Sequence, residues 1–348
     1  MKKRITIGIT MGDPAGIGAE ITVKVLNNPA AYEECIPMVI GDYEAIKDAI
    51  DFCGLSLNIK CVSSPAECVG EYGTIELYDM GFLKKGGWEY KKPSAICGEA
   101  SFQYILKGID LAMKKEIGAV ITAPINKEAI HMAGYDYSGH TEIFADYTNT
   151  PKYAMLLASG NLRVIHVTTH CSLRDACDRI KKDRVYDVIN FAKEGLGLLG
   201  IENPKIAVAG LNPHSSENGL FGDEEQNEII PAIEKAQADG INVTGPVPPD
   251  TVFVKALGGK YDVVVAMYHD QGHIPLKLLG FKMSDNNGNF SDMSGINCTI
   301  GLPVIRSSVD HGTAYGKAGE GRANEGSLLD AINAGIMMAR NKFPELAE

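Results

Sequence analysis

Short runs of branched apolar residues alternate along the chain with longer stretches in which apolar positions recur every three or four residues. Arg4–Thr10, Pro37–Ile40, Ala119–Thr122, Tyr153–Ala158, Leu162–Thr168, Lys205–Ala209, Tyr261–Met267 and Cys298–Ile300 are nearly continuous apolar runs. Runs of that kind suit strands covered on both faces. Between 182 and 200, Val185, Val188, Ile189, Ala192, Leu196 and Leu199 fall on one helical stripe. Ser94–Lys115 and 325–340 follow the same period. Strand–helix alternation predicts an α/β protein on a largely parallel sheet. One polar stretch rich in Asn, Ser and Gly, Lys282–Ser294, interrupts the pattern and is expected to form a surface loop or hairpin. No internal repeat is visible.

The chain has 348 residues, which at roughly 150 per domain predicts two domains. With 45% hydrophobic and 22% charged residues, a disordered, fibrous or small disulfide-stapled chain is excluded. The net charge is −11, so sequence-independent nucleic-acid binding, which needs a surplus of cations, is not expected. A few cations focused in a cleft still suffice for an anionic substrate. The eight cysteines form no CxxC pair and read as reduced thiols of a cytoplasmic protein. No apolar run approaches the ~18 residues of a membrane span, and Ile5–Thr10 is too short for a signal-peptide core.

Glycine-rich segments stand where chemistry is expected. Met11–Glu20, "MGDPAGIGAE", leaves a strand and enters a helix near Gly18. That geometry suits either amides aimed at a bound anion or an ordinary tight turn. It is not GxGxxG, which disfavours a Rossmann nucleotide site. Asp310–Gly319, "DHGTAYGKAG", followed by Asn324 and Ser327, reads as a loop approaching a ligand with bare backbone or as a plain connection before a capped helix. His170, His214 and His269 each stand at or just past the end of a strand run, the edge where open α/β sheets bind ligands. Three imidazoles with open positions suit a catalytic divalent metal, or each serves only local hydrogen bonds, whereas His166 lies within its strand and reads as structural. Gly139-His140-Thr141-Glu142 opens a helix that Ser138 or Thr141 can cap. Lys277, Asn297 and Arg306 supply further groups able to hold a phosphate or carboxylate.

Taken together, "GDPAGIG", "SGHTE", "TTH", "GLNPH", "AMYHDQG" and "GLPVIRSSVDHGTA" resemble the 4-hydroxythreonine-4-phosphate dehydrogenase family, in order and over nearly the whole chain. The "HGTA" loop also resembles the cofactor loop of the wider isocitrate and isopropylmalate dehydrogenase superfamily. The resemblance implies two α/β/α domains with an interdomain cleft, not Rossmann-like. One comprises 1–130 with 290–348 and carries the cofactor loop; the other, 131–289, carries the metal and the dimer contact. It implies that His170, His214 and His269 bind the metal, with His269 supplied across a homodimer. His140, Thr141, Lys277, Asn297 and Arg306 would bind substrate. Gly312, Thr313, Ala314 and Asn324 would line a pocket for NAD, with NADP as the alternative. Asp250 and Lys127 are the candidates for proton transfer.

Zinc is the expected metal, ahead of cobalt, manganese and magnesium. The opening "TMGDPAGIGAEI" and the long Phe281–Gly295 segment are more similar to a branch that oxidises D-threonate or D-erythronate 4-phosphate to dihydroxyacetone phosphate. The alternatives are the pyridoxal phosphate biosynthetic reaction and, from another class, a metal-dependent hydrolase or aldolase. No nucleic-acid or membrane partner is expected.

Overall fold

In the computed structural model, residues 3–283, 290–293 and 295–347 are described. Contacts divide the chain into two compact units, Met1–Pro151 with Leu302–Glu348, and Lys152–Gly301. These boundaries lie later in the chain than the crossings expected near 130 and 290. Helices 127–132 and 140–147 pack on the long helix 95–113 and so belong to the first unit.

The first unit contains β1 (Ile5–Thr10), α1 (Gly18–Leu26), β2 (Cys35–Gly41), α2 (Tyr43–Phe52), β3 (Asn58–Cys61), β4 (Thr74–Asp79), α3 (Ala95–Met113), β5 (Ala119–Thr122), α4 (Lys127–Met132) and α5 (His140–Tyr147). The second contains β6 (Ala154–Ser159), β7 (Leu162–His166), α6 (Leu173–Arg179), α7 (Lys182–Leu198), β8 (Ile206–Ala209), α8 (Ile230–Ala238), β9 (Val243–Val247), α9 (Pro249–Leu257), β10 (Val263–Ala266), α10 (His269–Gly280), β11 (Phe281–Met283), β12 (Phe290–Met293) and β13 (Ile296–Ile300). The chain ends in the first unit with β14 (Arg306–Val309) and α11 (Gly326–Lys342).

Strands of the first unit lie in the order β3-β4-β2-β1-β5-β14 and are all parallel. Ile7, Ile9, Val39 and Ile121 are fully buried in it, and α3 covers one face with Phe102 and Tyr104. In the second unit the order is β13-β6-β7-β10-β8-β9, with β6 antiparallel to both neighbours and the rest parallel. Its core joins Leu157, Val164, Ala207, Val264 and Ala266 with Val252 of α9 and Leu276 of α10. Each valine or leucine among them gains roughly 1.5–3 kcal/mol on leaving water.

β11 and β12 pair antiparallel, as a hairpin requires; 284–289 and Ser294 lie outside the described residues. Among the described residues no helix is long and apolar enough to cross a membrane.

Candidate active site

The glycine-rich turn after β1 braces neighbouring loops. The amides of Asp13, Ala15, Gly16 and Ile17 are taken by protein acceptors. Asp13 N–H donates to Pro124 O (2.9 Å), Gly16 N–H to Asp13 O (3.0 Å) and Ile17 N–H to Thr313 O (3.1 Å). Ala15 N–H donates to Asp13 Oδ1 (2.8 Å). A side chain at Gly16 would meet Thr313 Cβ at 2.9 Å, so only glycine lets the turn lie against the 310–316 loop. The Tyr315 hydroxyl donates to Asp13 Oδ2 at 2.5 Å. Burial raises the Asp13 carboxyl above the usual carboxylate range, and the Tyr315 and Ala15 hydrogen bonds pull it back.

One turn further, Lys24 Nζ binds Gly321 O (2.8 Å) and Ala323 O (2.7 Å) while pairing with buried Glu20, which also accepts the Ala323 N–H. α1 therefore clamps both ends of the loop bearing Gly312, Thr313, Ala314 and Asn324. Around the backbone of Gly312 there is open space where a side chain would stand, and Ala314 adopts the left-handed conformation (φ 43°). Exposed, rigidly backed main chain of this kind fits a nucleotide-type ligand. Asn324 Oδ1 accepts the Gly326 N–H (2.8 Å), although Glu325, not Asn324 or Ser327, occupies the helix-cap position.

In the same unit, Arg306 opens β14 and is 3% exposed. Its Nη2 donates to Thr122 Oγ1 of β5 at 3.0 Å, and its guanidinium carbon lies 6.0 Å from the Phe144 ring of α5. α5 begins at His140 and Thr141. Its cap position is Gly139, with no side-chain cap bond, so neither Ser138 nor Thr141 caps it. The His140 residue is partly open, yet its Nε2 is sealed from solvent and has no hydrogen-bond partner among the described residues. Burial, with the Arg306 guanidinium adding to it, holds the imidazole well below its ordinary value of 6.5. A buried cation beside an unsatisfied ring nitrogen is a site suited to an anion.

That shift has a consequence for stability. The folded His140 pKa is depressed, so below pH 6.5 the unfolded chain takes up a proton that the folded chain refuses. Stability falls as pH drops from 6.5 toward the folded pKa, by up to about 1.4 kcal/mol per pH unit. His140→Asn should show a shallower decline than the parent between pH 7 and pH 5. Denaturant titrations with equal declines would refute it.

The histidines gather in the second unit. His170 and His269 line one pocket of about 470 Å³ with Thr169, Cys171, Tyr268 and Asp270, and their ring centres are 6.0 Å apart. His269 Nδ1 and Asp270 Oδ1 are 2.7 Å apart; with the proton on Nδ1, Nε2 is left as a donor atom for a metal. The His273 ring stacks on that of His269 at 3.7 Å, and buried His166 lies 4.8 Å from His273. Burial, then the neighbouring imidazole, pushes His166 down to about 3 and His273 down to about 4.

Among the described residues His214 makes no ring contact with these histidines; it is exposed, in a turn of unusual backbone. His214, Ser215, Ser216, Glu217 and Asn218 all have φ between 45° and 65°. Left-handed backbone costs L-residues roughly 1–2 kcal/mol each. Among the described residues of this one chain, no three His, Cys, Asp or Glu side chains are arranged to hold a metal ion. The donor chemistry nevertheless fits a divalent cation: imidazoles at strand ends, one already oriented by a carboxylate.

Lys277 lies on α10, its Nζ 4.3 Å from the Phe281 ring centre, and Asn297 on β13 donates to Met155 Sδ. Asp250 and Lys127 are exposed at the starts of α9 and α4. The sequence reading missed Asp13, Glu20, Lys24 and Glu225, buried or half-buried charges that support the loops.

The chain is an α/β oxidoreductase of the dehydrogenase class, as the proteins it is similar to show. The model of the pyridoxal phosphate biosynthetic protein PdxA family matches residues 33–335, and the chain belongs to that family. It is 45% identical over 337 residues to D-threonate 4-phosphate dehydrogenase of Cupriavidus necator, covering 97% of this chain and 98% of the relative. Crystal structures of 4-hydroxythreonine-4-phosphate dehydrogenases are similar throughout. The protein from Burkholderia phymatum is 44% identical with TM-score 0.82, and that from Klebsiella pneumoniae 42% identical with TM-score 0.84; each alignment covers 97% of this chain and 98% of the other.

Proposed function

We propose that this enzyme oxidises C3 of a four-carbon 4-phosphorylated hydroxy acid, D-threonate or D-erythronate 4-phosphate, with NAD and a divalent metal. The product then loses carbon dioxide to give dihydroxyacetone phosphate. The observation that carries the reading is buried Arg306 on Thr122 beside the unsatisfied Nε2 of His140, a place for a phosphate. The Cupriavidus necator relative supports the choice of acid.

In this reading Arg306, His140 and Thr141 hold the phosphate, and Lys277 and Asn297 orient the rest of the substrate. Asp250 or Lys127 takes the C3 hydroxyl proton as hydride leaves C3. The resulting β-keto acid decarboxylates readily. Gly312, Thr313, Ala314 and Asn324 hold the nucleotide. His170 and His214, with the partner subunit's His269, would hold the metal, zinc first among the candidates. When bound, the cation supplies Lewis acidity at the C3 oxygen and the nicotinamide supplies the hydride acceptor.

A homodimer is supported by the apolar stripe on α10, where Ile274 is 64% and Leu278 82% exposed one turn apart, on the helix that starts with His269.

The second reading, oxidation of 4-phosphohydroxy-L-threonine for pyridoxal phosphate synthesis, is favoured by the names of the similar crystal structures. The two substrates differ at C2, hydroxyl against amino. NADH formation with each compound, the same metal present, separates them. We expect kcat/KM to favour the hydroxy acids at least tenfold, a difference of ~1.4 kcal/mol. A hundredfold preference for the amino acid would overturn the catabolic reading. Absence of NADH formation with any of them would return the hydrolase and aldolase alternatives.

A further inference from the structure

We infer that Glu225 is the positioning residue that holds the His214 turn in its metal-binding shape. The inference rests on reading His214 as a ligand. Glu225 is fully buried at the start of a wide helical turn, 225–229. A buried carboxylate is retained only where donors satisfy it. Here they come from the segment that leads into the turn. Leu211 N–H and Asn212 N–H donate to Oε1 at 2.8 and 2.7 Å, and Asn212 Nδ2 donates to Oε2 at 2.8 Å. The second hydrogen of that amide goes to Glu224 Oε2 at 2.7 Å.

Asn212 O then accepts the Ser215 N–H (3.1 Å), and Ser216 O accepts Gly219 N–H and Phe221 N–H (3.1 Å each). The left-handed run 214–218 is thus hung from a backbone that Glu225 fixes at its start. Gly210 makes room: a side chain there would meet Ser215 Oγ at 2.7 Å. Gln271, two residues after His269, donates to Gly210 O at 2.8 Å and accepts the Met267 N–H at 2.7 Å. The strand ends that carry His214 and His269 are therefore tied to each other, and Glu225 sets the conformation of the first beyond the tie.

Five strained non-glycine residues relax to ordinary backbone once their anchor is gone. The conformation at 214 sets the direction in which its ring leaves the chain, so the ligand would be lost without the ligand itself being changed. An outer-shell partner of this kind is worth about 10–100-fold in metal affinity.

The test uses the full-length chain, stripped of metal and titrated with Zn²⁺ against a chelator, and separately loaded with Co²⁺ for its visible spectrum. Glu225→Ala is expected to weaken Zn²⁺ at least about tenfold. It should also change the Co²⁺ absorption and speed amide exchange at 211, 212 and 214–218. Glu225→Gln keeps an acceptor for the two backbone amides and is expected to fall between Glu225→Ala and the parent. If Glu225→Ala does not fold, Glu225→Gln alone decides on the same measurements. A folded variant with the parent's Zn²⁺ affinity and Co²⁺ spectrum would overturn the inference. His214→Ala separates the two failures. If it too binds Zn²⁺ as the parent does, His214 is not a ligand and the metal reading fails. If it loses Zn²⁺ while the Glu225 variants keep it, only the positioning role fails.

Discussion

Arg306→Ala should lower kcat/KM for the four-carbon phosphate substrates by about a thousandfold, ~4 kcal/mol of transition-state binding. The guanidinium is 3% exposed, so it has already given up its water, and its cost of burial is offset inside the unit by Thr122 and the Phe144 ring face. A phosphate arriving there makes charge-assisted bonds without having to dehydrate an arginine first. Truncation removes that charge and leaves the phosphate buried beside His140 without a counter-ion, the costly half of a broken pair. Arg306→Lys keeps the charge but not the planar fork, and should recover only part of the loss. The substitution also deletes packing between β14, β5 and α5, so the thermal midpoint must be measured beside the kinetics. A loss below about tenfold in a protein of unchanged fold would remove Arg306 from the substrate site.

The strands that the sequence showed are mostly those whose residues are apolar and buried: β1, β2, β5, β6, β7, β8 and β10, with β13 partly so. Those it did not show are short or polar. β3, "NIKC", is mostly exposed, and β9, "VTGPV", carries a proline. β14, "RSSV", is wholly buried although three of its four residues are polar, because it pairs with β5 and α11 packs on it. No local pattern announces that. The site follows the same division. The three histidines and the "HGTA" loop stood out as candidates because each stands near a strand end or in a glycine-rich turn. The carboxylates of Asp13, Glu20 and Glu225 were not, because a lone acid in sequence reads as a wet surface group. Their partners, Tyr315, Ala323 and Leu211 with Asn212, come from elsewhere in the chain and are brought to them only by folding. The amides after β1 show the converse: a glycine-rich strand-to-helix turn suited either an anion or a tight turn, and only folding brings Pro124 and Thr313 to accept the Asp13 and Ile17 amides.

His170→Ala and His269→Ala should each abolish activity alone, and mixing the two should restore it. The reading places His170 and His214 of one chain with the partner subunit's His269 in each metal site. In a dimer of one His170→Ala chain and one His269→Ala chain, one site collects both lesions and the other collects neither. Random exchange makes about half of all dimers mixed, each with one intact site of two, so activity should recover to about a quarter of the parent's in a two-fold dimer. The recovery must rise with the time allowed for subunit exchange, and it must be absent when His170→Ala is mixed with His214→Ala, whose lesions fall on the same chain's contribution. The geometry makes the experiment necessary: His170 and His269 already share a pocket within one chain, their ring centres 6.0 Å apart, while no trio of donors is arranged for a metal among the described residues. A site made inside one chain after a local rearrangement would give no rescue in any mixture. No recovery in dimers shown by mass to be mixed would therefore place the third ligand in the same chain, with His166 or His273 as the nearest imidazoles to supply it.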